Sequence, residues 1–360
     1  MTASPAKRRK IRESKLIHFD ADKKGIKADG IFGLPFDLEE SEAVIIPIPW
    51  DVTAPSDGAA NAPDAIFETS KTISLYQEKL EDAWKEGIYM HNIPVKWKES
   101  NFQLRKIRNR IHNQHNKKLS DAKRAELSKD CKNINLTSRL LNEWVEHISG
   151  EYLKSNKLVG LLGGGQAVSS GFLTALSRKY DSFGILHLDA HADLLNIYEG
   201  LEFSDFSSMY YALKISQLRK LVLAGSREIS YAENDIIQKN YQMIKLFSDK
   251  YIKERHFKGT TFKMMISEII SPLPKNVYIS FDAGVLQPSA MPHVGFPQPS
   301  GFSYEEISFL FSELRQSGKK IIGFDLSGIR PKKENNFWDA QLGAHLLFEL
   351  SSLMINTHKK

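Results

Sequence analysis

Leu186-His187-Leu188-Asp189-Ala190-His191-Ala192-Asp193 decides how this chain folds, because an apolar run, Phe183 to Leu188, passes without a break into two carboxylates and an imidazole. A run that is apolar without alternation is the mark of a strand buried on both faces, as in a parallel sheet covered by helices on either side. The same kind of run recurs at Ala43 to Ile48, Leu158 to Leu162, Leu221 to Ala224, Met243 to Phe247, Val277 to Phe281 and Ile321 to Phe324. The segments between them are long enough for crossover helices. The reading is therefore α/β: three layers, α/β/α, around a mostly parallel central sheet.

With 360 residues, of which 41% are hydrophobic, the chain can bury one large core. It has no stretch of about 18 apolar residues, so no membrane span is expected. The basic amino terminus, Met1 to Lys15, has no apolar segment behind it and does not read as a signal peptide. A single cysteine, Cys131, cannot form an internal disulfide, and a reducing cytoplasm is the expected location. The formal charge of +6 is concentrated in the N-terminal tail and in Lys96 to Lys132. Only Trp97 and Phe102 accompany the basic residues of the second segment, which argues against a nucleic-acid partner. The organisation read here is a basic tail, residues 1–29, and one domain, residues 30–355, carrying a polar basic insertion at about 96–132. That insertion is expected to hold a solvated helix or two, and Thr137 to Tyr152, with Leu140, Leu141, Trp144, Val145 and Ile148 on one face, to form a further helix.

Ligands of open parallel sheets gather at the carboxyl ends of the strands. If strand geometry continues past Leu188, then Asp189, His191 and Asp193 point the same way. Two carboxylates brought together at a strand end are costly without a cation, and oxygen donors with one imidazole suit Mn²⁺ or a similar ion. Asp282 ends a second buried run, followed by the Pro- and Gly-rich loop Gln287 to Gly301. A third end carries Gly163-Gly164-Gly165-Gln166-Ala167, which alone could also be a phosphate-cradling turn, although no Lys-Ser/Thr pair follows.

Taken in order, these segments resemble the ureohydrolase signatures of arginases, agmatinases and formimidoylglutamases. Those are a Gly-Gly-Asp-His-Ser turn, an Asp-Ala-His-x-Asp strand end and a Ser-x-Asp-x-Asp strand end. Ile46 to Thr53, Ala62-Pro63-Asp64-Ala65-Ile66, Ser74-Leu75-Tyr76, Asp82-Ala83-Trp84, Leu194 to Gly200, Phe324-Asp325-Leu326 and Trp338-Asp339 to His345 look like the agmatinase-type branch. The resemblance spans roughly residues 30 to 350. It implies an arginase-like fold and metal-assisted hydrolysis of a guanidino or formimino C–N bond by two divalent ions, manganese or nickel. It places metal ligands at Asp189, His191, Asp193 and Asp282.

The departures concern three roles. Gln166 stands where the resemblance implies a ligand His, and Gly284 where it implies a ligand Asp. Asp205 stands at a His position for proton transfer, and Gly328 at a Glu that anchors a cationic substrate. One ion or none is expected, held by Asp189, Asp193, Asp282 and Gln166, or by Asp189, His191 and Asp282, with His293 as a conceivable substitute ligand. The main reading of these losses is a homologue that has given up hydrolysis for a structural or regulatory role, as a homo-oligomer or a hetero-oligomer with an active paralogue. The alternative is a hydrolase with an altered mononuclear site acting on agmatine, guanidine or a related compound.

Overall fold

In the computed structural model, residues 4–23, 25–78, 82–115, 117–332 and 337–359 are described; residues 1–3 and 24 of the expected tail lie outside them. Eight strands form one sheet: β1 Ala43–Ile48, β2 Ile88–Met90, β3 Leu158–Gly163, β4 Phe183–Leu188, β5 Leu218–Ala224, β6 Ile244–Phe247, β7 Asn276–Asp282 and β8 Lys320–Ser327. Their order is β2-β1-β3-β8-β7-β4-β5-β6, and every neighbouring pair is parallel.

Each strand feeds both faces of the sheet because side chains alternate. On β1, Ala43 and Ile45 pack into the layer that contains helices Ala62–Ser70, Phe262–Ile270, Tyr304–Gln316 and Trp338–Asn356. Val44, Ile46 and Ile48 pack into the opposite layer with helices Val95–Gln114, Asp121–Lys154 and Ser169–Lys179. The topology places β3, β8, β7 and β4 side by side at the centre of the sheet. Residues following these four strands, far apart in the chain, therefore meet at one edge. No helix among the described residues is long and apolar enough to cross a membrane.

Two basic segments are more structured than their composition suggests. Residues Pro5–Leu16 form a helix, N-capped by Ser4. Its Arg12 is buried, donating to the Glu40 carbonyl at 2.8 Å, to Glu42 Oε1 at 3.0 Å and to Glu86 Oε2 at 2.7 Å. The insertion is a pair of long helices, Val95–Gln114 and Asp121–Lys154, the second starting well before the expected Thr137. Its first turns are polar and carry no apolar stripe, so the hydrophobic pattern is silent there while Ser120 caps the helix.

The insertion is solvated on one face only. Trp97, Asn101, Leu104, Arg105, Arg108 and Ile111 are buried from the first helix. Asn101 brackets Asp51, receiving a hydrogen bond from the Asp51 amide at 2.7 Å and donating to Asp51 Oδ1 at 3.1 Å. Arg108, with 1% of its side chain exposed, pairs with Glu199 at 2.6 Å and so clamps the loop after β4. Truncating one partner of a buried ion pair leaves the other charge unpaired. Arg108→Ala is expected to lower stability by about 3 kcal/mol, eased by His112, which also reaches Glu199 at 3.1 Å; urea unfolding measures it.

Candidate metal centre

The loop leaving β4 turns sharply at Asp193, whose φ of 55° lies in the left-handed region, where Asp is tolerated better than most residues. The turn is held because the Asp193 carbonyl accepts from the Met209 and Tyr210 amides at 3.0 and 3.1 Å. Asp189 and Asp193 are thereby both buried. Asp189 Oδ1 accepts from the His191 amide at 2.9 Å and lies 3.3 Å from His191 Nδ1. From β7, Asp282 presents its carboxylate to the same cleft, with Oδ1 accepting from the Gly284 amide at 2.7 Å.

The cleft is narrow, with about 30 Å³ of cavity volume, and is lined by Gln166, Asp189, His191, Asp193, Asp205, Phe206, Asp282, Phe296, Gly328 and Arg330, together with Pro55, Ala59 and Gly295. Asp189, His191, Asp193 and Asp282 are thus brought together as expected, along with Gln166, Asp205 and Gly328. Gly284 is buried in the turn directly after Asp282. His293 stands apart: its Nδ1 lies 2.8 Å from Asp339 Oδ2 on the C-terminal helix, so it is engaged there and does not line the cleft.

The electrostatics are those of an acid cluster in need of positive charge. Burial pushes Asp193 well above the ordinary carboxylate range, and the charges of Asp189 and Asp282 push it further. Asp282 is raised in the same way by burial and by Asp189. Burial also opposes ionisation of Asp189, but the hydrogen bond and charge of His191 outweigh it and hold Asp189 low. Burial lowers His187 to about 4, whereas for His191 the Asp189 carboxylate overcomes burial and the net shift is upward. Asp205, half-buried and accepting from the Ala167 amide at 3.3 Å, is raised to about 6, chiefly by desolvation.

A divalent ion fits this donor set. The ligand atoms of His187, Asp189 and Asp193 lie within 4.8 Å of one another. His187 Nε2 and His191 Nε2 are buried without a hydrogen-bond partner. Hard carboxylate oxygens with imidazole nitrogen suit Mn²⁺ or Ni²⁺.

Gly328 departs from the resemblance for a steric reason. Its φ is +80°, which side chains rarely adopt, and a Cβ there would sit 2.3 Å from Asp282 Oδ2, so a side chain is strained and pushes that carboxylate aside. Two features of the cleft were not singled out from the sequence. Arg330, on the loop leaving β8, donates to the Ser56 hydroxyl and carbonyl and closes one wall. Phe206 and Phe296 pack edge-on against His191 at 5.5 and 5.9 Å and close another. Arg330 lies three residues past the end of β8, and only its position after a strand end could have marked it.

A parallel α/β sheet with an acidic, imidazole-bearing centre at the carboxyl ends of its middle strands defines the class to which this molecule belongs. Residues 41–352 match the model of the arginase family, and the chain belongs to that family. It is 28% identical over 295 residues to an N(1)-aminopropylagmatine ureohydrolase of Thermus thermophilus, covering 81% of this chain and 84% of that protein. It is 27% identical over 194 residues to the mitochondrial Arginase 1 of Arabidopsis thaliana, 53% of this chain and 54% of that one. Among solved structures it resembles the agmatine ureohydrolase of Thermoplasma volcanium, with a TM-score of 0.68, 20% identity, and coverage of 91% and 95%. It also resembles proclavaminate amidino hydrolase from Streptomyces clavuligerus, with a TM-score of 0.69, 17% identity, and coverage of 92% and 98%. These structural likenesses establish the fold.

Proposed function

We propose that this protein is a metal-dependent hydrolase of a C–N bond in a guanidino or related linear amidine compound, working from an altered, single-ion site. The observation that carries this reading is the convergence of buried Asp189 and Asp193 with half-buried Asp282 and His191 in one cleft. A chain that had abandoned the chemistry gains nothing by keeping carboxylates that repel one another in a buried site. The similarity to ureohydrolases supports the same reading over the expectation of lost activity.

Asp189, Asp193 and Asp282 would hold the ion, with Gln166 and His191 on its flanks. When bound, a divalent ion supplies an acidified water as nucleophile near neutral pH. Asp205, with its carboxyl raised to about 6, is matched to holding a proton at that oxygen and passing it to the departing amine. Phe206 and Phe296 keep bulk water from His191 and the acid cluster. Arg330 adds a fixed positive charge to the wall, which disfavours a substrate with a second cation near it.

The test is urea and ammonia release after loading with Mn²⁺ or Ni²⁺, over agmatine, guanidine, arginine, carboxylated guanidino compounds and formimino amino acids. Release that requires metal is expected; a metal-loaded protein that turns over none of them sinks the reading and returns the pseudoenzyme. Arg330→Ala is expected to raise kcat/KM for cationic substrates roughly tenfold, the effect of removing one like charge a few ångströms away when it is screened at close to the dielectric of water. Initial-rate kinetics on agmatine check this.

A further inference from the structure

We propose that His187, inside strand β4, is the imidazole ligand of the ion, and that Gln166 does not ligate but orients His187. This rests on the reading that the site binds a divalent ion. His187 sits inside β4, which ends at Leu188, and its ring lies behind the cleft-lining Asp189 and Asp193 rather than on the cleft wall. Its side chain has 0% exposure, and Nε2 has no hydrogen-bond partner. That nitrogen lies 3.5 Å from Asp193 Oδ2 and 3.8 Å from Asp189 Oδ2. A cation seated among the three atoms would be within reach of all of them, and an apolar purpose does not explain an imidazole edge turned toward two carboxylates.

The amide of Gln166 fits this arrangement in one orientation. With its nitrogen toward the acids it donates to Asp193 Oδ2 and to Asp189 Oδ2, and its oxygen accepts from Ser280 Oγ at 3.0 Å. In the reverse orientation the oxygen faces the two carboxylates and takes only a long contact from the Ser208 hydroxyl at 3.4 Å. The orientation satisfied on both sides places the amide oxygen 3.5 Å from His187 Nδ1. An acceptor there favours the tautomer with its proton on Nδ1, leaving the Nε2 lone pair directed at the carboxylates. Metal-binding histidines are characteristically oriented in this way by a partner on the other ring nitrogen. The imidazole expected at position 166, after β3, is thus supplied from β4 instead.

The experiment uses the full chain stripped with EDTA. Mn²⁺ binding is titrated by the EPR signal of the free ion, and pulsed EPR reads nitrogen coupling to the bound ion. Relative to the wild-type chain, His187→Ala is expected to weaken Mn²⁺ binding about 100-fold and Gln166→Ala about tenfold, the range found when ligand orientation is lost. Imidazole coupling is expected to survive in His191→Ala and to vanish in His187→Ala. Circular dichroism of each metal-free variant separates a lost ligand from a lost fold, and His187→Phe, which fills the space, serves if His187→Ala unfolds. Mn²⁺ bound as tightly by both His187 variants as by the wild type overturns the proposal. So does nitrogen coupling that persists in His187→Ala. Binding through His187 without urea release from any substrate refutes the hydrolase and leaves this assignment standing. A wild-type chain that binds no Mn²⁺ overturns both.

Discussion

Asp193→Asn is expected to abolish metal-dependent hydrolysis and at the same time to stabilise the metal-free protein. The loss of activity should reach about a thousand-fold, since removing a ligand charge forfeits several kcal/mol of stabilisation at the ion. The gain in stability follows from the sign of the Asp193 shift. Its carboxyl is raised in the folded chain by burial and by Asp189 and Asp282. A raised acid contributes stability below its unfolded value, near 3.9, and loses it as pH climbs through the folded value. Near neutrality and without a cation, ionised Asp193 therefore works against the fold. Asparagine removes that charge, keeps the shape, and is at ease at the φ of 55° found there. In EDTA the variant's Tm should rise by about 2–4 °C at pH 8, and by less at pH 5. Added Mn²⁺ should raise the wild-type Tm and leave the variant's unchanged. A variant that melts below the wild type in EDTA would show that the cluster is already neutralised from within.

The strands were legible because burial on both faces leaves continuous apolar runs, and β1 and β4 coincide with Ala43–Ile48 and Phe183–Leu188. The edge strand Ile88–Met90 was not, since three residues carry no periodicity and pair on one side only. The site was legible where the loop just past one strand end carries several donors close together, as in Asp189 to Asp193. It was not where the donors depend on strand order, which no local pattern encodes. That β8 lies between β3 and β7 brings Arg330 into the cleft, and nothing in Ile329-Arg330-Pro331 signals it beyond its place just after a strand end. Likewise Asn101, Arg105 and Arg108 read as a solvated basic face, although their role is to grip Asp51 and Glu199 across long sequence separations. His187 was in plain view, but an imidazole within an apolar run reads as core until its unpaired nitrogen and neighbouring acids are located.

Gln166→His combined with Gly284→Asp is expected to raise metal binding strongly, toward two ions per chain, and each change alone should do less because each repairs a different missing ligand. Position 284 can take the change. A Cβ there meets Asp282 Oδ1 at 2.8 Å, but that atom is the movable end of a side chain. Asp282 must swing away from the Gly284 amide, costing one charge-assisted hydrogen bond of about 1.5–3 kcal/mol, which a second ion can offset. Position 328 cannot. Glu at Gly328 meets a φ of +80° and a contact of 2.3 Å with Asp282 Oδ2, with the backbone itself pinned by its hydrogen bond to the Gly164 carbonyl at 2.9 Å. Gly328→Glu should therefore displace Asp282 and lower metal affinity even in the doubly restored chain. Elemental analysis after dialysis against Mn²⁺ distinguishes the cases. Metal content in the double variant no higher than in the wild type would place the second ion site elsewhere, whereas a tolerated Gly328→Glu would show that the loop after β8 can shift to admit a substrate-anchoring acid.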